Sequence, residues 1–361
     1  MSDNIPFHIQ EEIMKRLPVR SLIQFRCVSK AWKSVIDSSA FIAAHSIHRH
    51  THPQHLLVSY QDPIDEVNYV SFVDDHTLPQ QRSLPIVPPF IKQLIHPKVV
   101  GSSHGLICFF GSDFTFTTGM AVLWNPSIRK SIDVVVPGRS FIGFGVCPVT
   151  SDPKIVSITQ SWDYQNIETS YPCKVMVYTL SSGKWRNLST NLPPKRLSSS
   201  GLVVITDQYI YWRAEVPTHN AIMSFDLTHE NFEVIDLPDS LACREFGDLY
   251  TYKLRESLAM LQYKENICNV WTMDHGVQRS FTKLFTIKTP HEIVGFRKTG
   301  VPIMHVPNDD DDDDEGSKLV VYEPNSEQNN VLEMTGSPFS FYVKSYMETL
   351  LLFGRCDSTS Y

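Results

Sequence analysis

The chain of 361 residues carries few side chains at spacings that could support catalysis or metal binding. The densest group of potential metal ligands is a set of five histidines within eleven residues: His45, His48, His50, His52 and His55. Zinc sites usually combine histidine with cysteine at fixed spacings, and neither that spacing nor a neighbouring cysteine is present here. We therefore interpret residues 46–54 as a polar, His-rich hinge and expect no metal and no cofactor.

Motifs for nucleotide binding or covalent catalysis are also missing from the sequence. Gly101, Gly105 and Gly111 lack the spacing and the following helix of a dinucleotide fingerprint, and no P-loop, G-x-S-x-G or H-E-x-x-H is present. The seven cysteines form no C-x-x-C pair, and Cys108 and Cys268 lie in apolar runs, where we expect them to be buried and inert. Scattered thiols of this kind are typical of a reduced protein of the cytoplasm or nucleus. The sequence predicts a protein without enzymatic activity.

Charge is distributed unevenly along the chain. The net charge is -7, although the first fifty residues contain seven Lys/Arg against four Asp/Glu. Seven consecutive acidic residues at positions 309–315 predict a solvated loop over 308–316, because adjacent like charges repel, and a docking site for a basic partner is the alternative. The run lacks the alternating ligands and the glycine of a calcium loop. Without a basic face in the rest of the chain we expect no nucleic-acid partner.

One tryptophan differs from the others in its setting. Trp162 lies in a polar, loop-like segment, whereas Trp185, Trp212 and Trp271 lie in strand-like segments and are expected in the core. Aromatic side chains that are exposed often anchor protein partners. We therefore predict that Trp162 contacts a target.

The first structural element that the sequence predicts is a helical segment at the N-terminus. Its apolar side chains form three rows at helical spacing: Ile9, Ile13 and Leu17; Leu22 and Phe25; Val28, Trp32, Val35 and Ile36. Pro6 suits the first turn of the first helix and Pro18 ends it, since proline disfavours helix in the residue before it. So much apolar surface in so few residues either docks on the rest of the chain or binds a partner.

This segment resembles the F-box of plant proteins over residues 4–44, which implies an F-box at residues 1–45. The motifs that carry the resemblance are Leu17-Pro18-Val19-Arg20-Ser21-Leu22 and Val28-Ser29-Lys30-Ala31-Trp32. The resemblance implies binding to a Skp-type adaptor and, through it, to a cullin and a RING protein. It also implies adaptor contacts at Ile5, Pro6, Ile9, Leu17, Pro18 and Leu22, with Val28 and Trp32 mostly internal. Ile5 and His8 depart from the usual leucine and acidic residue.

After residue 55 the apolar period changes to two, and a unit of about fifty residues repeats six times. Each unit contains an apolar strand followed by a second strand that ends in a polar turn residue, and these turn residues recur every 47 to 54 positions: Asp74, Asn125, Thr179, Asp226, Asp274 and Glu323. An interval of this length holds the four strands of a propeller blade. Further strands at 339–343 and 350–353 are expected to complete the first blade and close the ring.

The repeat region resembles the F-box-associated domain of plant F-box proteins. The residues that carry this resemblance are Ser103-His104-Gly105-Leu106-Ile107-Cys108, Leu123-Trp124-Asn125-Pro126-Ser127-Ile128-Arg129-Lys130 and Phe144-Gly145. The double glycine of kelch repeats is missing, so the architecture is kelch-like without the kelch sequence signature. We expect an α+β multidomain chain, with the small helical F-box followed by an all-β propeller of about six blades over residues 55–355.

Together these patterns predict a substrate receptor of an SCF-type ubiquitin ligase, with a protein target bound by the propeller. The alternative is an interaction scaffold that recruits no ligase. We expect a soluble protein of the cytoplasm or nucleus, because the N-terminus has no signal-peptide pattern and no apolar run approaches the roughly 18 residues that span a membrane.

Overall fold

The chain begins with four short helices, and most of the remaining residues form strands. The structure is a computed structural model, and it describes residues 5–47, 54–62, 64, 66–75, 82–83, 88–112, 119–138, 140–159, 174–189, 196–198, 202–215, 219–242, 249–274, 279–308, 316–323, 328–337, 340–353 and 359–360. The helices are α1 (Phe7–Met14), α2 (Val19–Phe25), α3 (Lys30–Ile36), α4 (Ser39–Ile47), α5 (Pro89–Gln93) and α6 (Asp239–Ala242). Among the described residues, none of these helices has the length and apolar character needed to cross a membrane.

The helix boundaries follow from local chemistry. Pro6 and Pro18 are the N-cap residues of α1 and α2, where the missing N–H has no cost. The apolar row predicted a helix through Leu17, but α1 ends at Met14, and the N–H groups of Arg16 and Leu17 make i→i+3 hydrogen bonds to Ile13 and Met14. Leu17 precedes Pro18, and a residue before proline disfavours helical geometry. Helix α3 begins after Ser29, whose hydroxyl accepts a 3.1 Å hydrogen bond from the backbone N–H of Trp32.

Twenty-six strands lie within the described residues. In chain order they are β1 (His55–Gln61), β2 (Val67–Val73), β3 (Arg82–Ser83), β4 (Ile95–Ser103), β5 (Leu106–Ser112), β6 (Gly119–Asn125), β7 (Lys130–Val136), β8 (Phe141–Val146), β9 (Pro153–Thr159), β10 (Lys174–Thr179), β11 (Lys184–Asn187), β12 (Arg196–Leu197), β13 (Val204–Ile205), β14 (Tyr209–Glu215), β15 (Asn220–Asp226), β16 (Phe232–Asp236), β17 (Leu249–Leu254), β18 (Ser257–Lys264), β19 (Ile267–Met273), β20 (Phe281–Lys288), β21 (Ile293–Phe296), β22 (Pro302–Pro307), β23 (Ser317–Glu323), β24 (Gln328–Gly336), β25 (Tyr342–Tyr346) and β26 (Thr359–Ser360).

These strands form six antiparallel sheets, which are the blades of a propeller. Their strand orders are β25-β1-β2-β3, β4-β5-β6-β7 with β26 beside β7, β8-β9-β10-β11, β12-β14-β15-β16 with β13 beside β14, β17-β18-β19-β20 and β21-β22-β23-β24. Every repeat predicted from the sequence corresponds to one blade, with the polar turn residue at or directly after the end of its third strand. The prediction of helices followed by a six-bladed propeller is confirmed.

The ring closes through the C-terminal part of the chain. Strand β25 pairs antiparallel with β1, so that Tyr346 faces His55 and Tyr342 faces Ser59. A buried ion pair joins the first and sixth blades, since Arg297 Nε donates to Asp74 Oδ1 at 2.8 Å. The second Asp74 oxygen accepts a 2.7 Å hydrogen bond from the backbone N–H of Lys298. Closure of this kind leaves the first and last blades without a free inner edge.

The segment 350–353 was predicted as a strand, and that prediction is wrong. Leu350 is followed by a turn of Leu351, Leu352 and Phe353, and all four side chains are buried beneath the N-terminal helices. Their apolar character suits either environment, because a run of four apolar residues has no periodicity that separates a strand from a buried turn.

Candidate functional site

The N-terminal helices expose a group of apolar side chains on their outer side. Ile5, Phe7, Ile9 and Ile13 are each between 42% and 49% exposed. Ile9 and Ile13 are four residues apart in α1 and therefore share one helix face. We call Ile5, Phe7, Ile9 and Ile13 the α1 patch. Several large apolar residues exposed together mark a surface that binds a partner.

Side-chain hydrogen bonds hold the α1 patch in place. Gln10 Nε2 donates to the carbonyl oxygen of Ile5 at 2.8 Å, which fixes the segment before the helix. The Gln10 Oε1 atom accepts a 3.0 Å hydrogen bond from Trp32 Nε1, so α3 is tied to α1. The Trp32 ring also packs on Phe25, with 5.1 Å between the ring centroids. Trp32 is therefore a packing residue, as the resemblance implied.

The six residues predicted to contact an adaptor differ in their exposure. Ile5, Pro6, Ile9 and Pro18 are exposed and Leu17 is half-buried. Leu22 has no accessible surface, so the prediction that it contacts a partner is wrong for this conformation: it lies on the inner side of α2, in the core. Val28 was expected to be mostly internal, but it lies before α3 and its side chain is 64% exposed.

Phe7 and Ile13 were missed as contact candidates, although both are as exposed as Ile9. The signal for Ile13 was present in the sequence, since it shares the four-residue spacing of Ile9. Phe7 is the first residue of α1 and lies outside the four-residue row of Ile9 and Ile13, so that row does not identify it.

Charged side chains flank the helices. Lys15 Nζ lies 2.7 Å from Glu12 Oε1 and 3.1 Å from Glu11 Oε1, and the hydrogen bonds to Glu12 and then Glu11 raise the pKa of Lys15. Burial alone would raise the pKa of Asp37, but hydrogen bonds from Arg26 and Lys33 outweigh it and lower that pKa. Both groups stay charged at neutral pH.

The inner side of the helices is anchored on the propeller. Met14, Val19, Leu22, Ile36 and Phe41 form one continuous core with the second, third and fourth blades and with the buried turn at 350–353. The Arg26 guanidinium lies 4.1 Å from the centroid of the Phe353 ring, which is a cation–π contact. Part of the apolar surface predicted for the helices is therefore buried against the propeller, and the α1 patch is the part that stays exposed.

Asn125 connects the turn beneath the helices to the second blade. Its fully buried amide donates to the carbonyl oxygens of Thr349 at 3.0 Å and Leu351 at 2.6 Å. Asn125 Oδ1 accepts a 3.0 Å hydrogen bond from the backbone N–H of Ser127, as in an Asx turn. The turn expected at Asn125-Pro126 is present, and its side chain also holds a segment more than 220 residues away.

Other residues singled out in the sequence are either buried cysteines or lie outside the described residues. Cys108 and Cys268 are buried as expected, and burial raises the pKa of both thiols, that of Cys268 to about 12. Trp162, the acidic run 309–315 and the histidines at 48, 50 and 52 lie outside the described residues. Within the described part of the chain, no cluster of three or more His, Cys, Asp or Glu side chains could hold a metal ion.

Two family models match different parts of the chain. Residues 2–43 match the family model of the F-box domain, and residues 54–306 match that of the F-box associated beta propeller domain. F-box protein CPR1 of Arabidopsis thaliana is 26% identical over 96% of this chain and 89% of its own length. An F-box/kelch-repeat protein of the same plant is 28% identical over 79% of each chain.

Proposed function

Because the chain belongs to the family of F-box proteins with an F-box-associated β-propeller domain, we propose that it is the substrate-receptor subunit of an SCF-type ubiquitin ligase. In this role the F-box binds a Skp-type adaptor and, through it, a cullin and a RING protein. The propeller binds a protein target. We place this activity in the cytoplasm, the nucleus or both.

The observation that carries the proposal is the α1 patch on a helical module whose other side is anchored. Met14, Leu22 and Ile36 fill the core on the inner side of the helices, whereas Ile9 and Ile13 stay about half exposed. The exposed isoleucines therefore suit a partner surface, and an adaptor is the partner that F-box domains share.

The subunit would perform no chemistry itself. It would raise the local concentration of the target beside the enzyme that carries ubiquitin, which is an effect of proximity. The attachment of the helices to the propeller supports this role, because the Arg26–Phe353 contact and the Asn125 hydrogen bonds fix the helices relative to the ring. A fixed geometry keeps the distance between adaptor and target constant.

The experiment compares adaptor binding by the wild type, the double variant Ile9→Ala/Ile13→Ala and the control Leu284→Ala. Leu284 is 48% exposed, nearly the same as Ile13 at 49%, but it lies on β20 in the fifth blade. Burying a whole isoleucine side chain is worth about 1.5–3 kcal/mol, so two half-exposed side chains contribute about 1.5–3 kcal/mol on binding. We expect affinity for a purified Skp-type adaptor to fall about 10- to 100-fold in the double variant only.

Unfolding midpoints of the three proteins should agree closely, because the substituted side chains are partly exposed in the unbound chain. Adaptor affinity that is equal in the double variant and in Leu284→Ala would contradict the assignment of the α1 patch. Failure of the wild type to bind any Skp-type adaptor would favour the interaction scaffold that recruits no ligase.

A further inference from the structure

The centre of the ring contains a cavity of about 300 Å³. Its walls are the inner strands β4, β13, β17, β21 and β25 with the turns beside them. Pockets for small ligands begin at about this volume. None of the residues that line the cavity belongs to the N-terminal helices.

Lys344 lines this cavity from the middle of β25, opposite Leu57 of β1. Its side chain is half-buried and forms part of the cavity wall. Within the described part of the chain, neither a hydrogen bond nor an ion pair joins its ammonium to another residue. Burial in the ring lowers the pKa of Lys344 to about 8. An ammonium held inside a protein without a counterion is unfavourable, since it has lost water and gained no charged partner.

The other charges around the cavity do not compensate Lys344. Five cationic and three acidic side chains line it, although the whole chain has a net charge of -7. Two of the acids are engaged with other cations: Asp74 with Arg297 at 2.8 Å and Glu256 with Lys253 at 3.0 Å. Lys298 is exposed at the rim and adds a further positive charge. The cavity is therefore locally positive.

We propose that this cavity binds an anionic group of the carboxylate, sulfate or phosphate class, with the Lys344 ammonium as its counterion. An oxyanion there supplies the partner that the protein does not provide, and the surrounding low dielectric strengthens the pair. The group belongs either to a free small anion or to a side chain of a protein target. The site itself does not depend on adaptor binding, and only the second source rests on the proposed function.

Binding should weaken as the pH rises through the pKa of Lys344. The ammonium is the binding form, so affinity is retained below about pH 8 and lost above it. The other titratable and charged groups that line the cavity are His55, Asp74, His104, Asp207, Tyr252, Lys253, Arg255, Glu256, Arg297, Lys298 and Tyr346. The reference pKa is about 6.5 for histidine and about 10 for tyrosine and lysine, so a loss of binding near pH 8 points to Lys344.

The test is calorimetric titration of the full chain with sodium sulfate, whose charge is constant over this pH range, against sodium chloride at equal ionic strength. Lys344→Met should bind sulfate at least about tenfold more weakly than the wild type at about pH 7, and Lys344→Arg should retain binding. The control Lys264→Met removes an exposed lysine at the end of β18, outside the cavity, and should bind like the wild type. At about pH 9.5, well above the pKa of Lys344, the wild type should resemble Lys344→Met.

Thermal unfolding and acylation of Lys344 provide two further measurements. Lys344→Met should unfold at a temperature no lower than the wild type, because it removes an uncompensated charge from inside the ring. Should that variant fail to fold, sulfate protection of Lys344 in the wild type from acylation near its pKa of about 8, followed by mass spectrometry, gives the same information. Equal sulfate affinity in the wild type and Lys344→Met, or no protection, would overturn the proposal.

The source of the anion is decided with two probes at the same site. Citrate represents a free small anion, and a short Gly/Ser peptide with one phosphoserine represents a target side chain. Tighter binding of the peptide, lost in Lys344→Met, assigns the site to a target, whereas binding of citrate alone assigns it to a small molecule. Adaptor affinity is measured separately, so a failure of the proposed function and a failure of the anion site give different results.

Discussion

Replacement of Asn125 by aspartate should separate the helical module from the ring. The Asn125 amide donates to the carbonyl oxygens of Thr349 and Leu351, at 3.0 and 2.6 Å. A carboxylate of the same shape has no hydrogen to donate and places its negative oxygen against both carbonyls. Only the hydrogen bond that Oδ1 accepts from the Ser127 N–H at 3.0 Å can persist.

The magnitude follows from the two carbonyls that lose their donor. Each buried polar group left without a partner costs about 1–3 kcal/mol, so Asn125→Asp should destabilise the protein by about 2–6 kcal/mol. That is a large fraction of the roughly 5–15 kcal/mol that stabilises a folded domain. The segment that the Asn125 amide holds lies beneath α1 to α4. The helices should therefore loosen before the blades do.

The assay is urea denaturation at neutral pH, followed by circular dichroism and by proteolysis of the N-terminal helices. The control is Asn187→Asp, an exposed asparagine at the end of β11, where we expect a change within about 0.5 kcal/mol. Equal destabilisation by the two substitutions would refute the idea that the Asn125 amide anchors the helices.

The pH dependence of Asn125→Asp provides a second check. Burial and the two facing carbonyls disfavour the carboxylate, so the pKa of this aspartate in the folded state should lie above the unfolded value of about 3.9. Once protonated, the carboxyl can donate one hydrogen bond. The destabilisation is therefore complete above the raised pKa and should decrease as the pH falls through it.

Two further substitutions test the closure of the ring and the docking of the helices. Asp74→Asn leaves the buried Arg297 guanidinium without its counter-charge and should cost about 3–5 kcal/mol, measured by denaturation of the whole chain. Phe353→Leu keeps an apolar side chain beneath the Arg26 guanidinium but removes the ring face, and should cost about 0.5–2 kcal/mol beyond the packing change. Its measurement is a double-mutant cycle with Arg26→Met, which isolates the coupling between the two side chains.

The substitution of Asp74 has a matched control on the surface of the protein. Asp236→Asn changes an aspartate that is 78% exposed and 3.6 Å from His219, and it should leave stability nearly unchanged. A similar cost for Asp74→Asn and Asp236→Asn would mean that the Asp74–Arg297 pair does not hold the first and sixth blades together. A coupling energy near zero in the Arg26 cycle would remove the cation–π contact from the forces that dock the helices.

The blade architecture was predictable because it is encoded locally and repeatedly. A polar turn residue ends each third strand, and in two blades it makes the same hydrogen bond, since Asn125 and Asp226 each accept from the backbone N–H two residues ahead. Alternating apolar residues between such turns specify strands, and a period near fifty specifies four of them.

The candidate site was predictable only in part. Helical spacing identified Ile9 and Ile13 as one face, but it could not separate outward residues from inward ones, and Leu22 is buried although it belongs to the same motif as Pro18. Burial depends on which side of each helix meets the rest of the chain, and helical periodicity carries no information on that partner.

By itself the sequence determined the helical module, the six repeated units and the resemblance to F-box proteins, since these depend on residues near one another in the chain. The tertiary structure alone decided which distant residues meet. It brought Asp74 to Arg297, Asn125 to Leu351 and Arg26 to Phe353, and it placed Lys344 in the central cavity. Contacts across more than two hundred residues arise when a closed ring brings the chain ends together, and no local pattern of residue types records that approach.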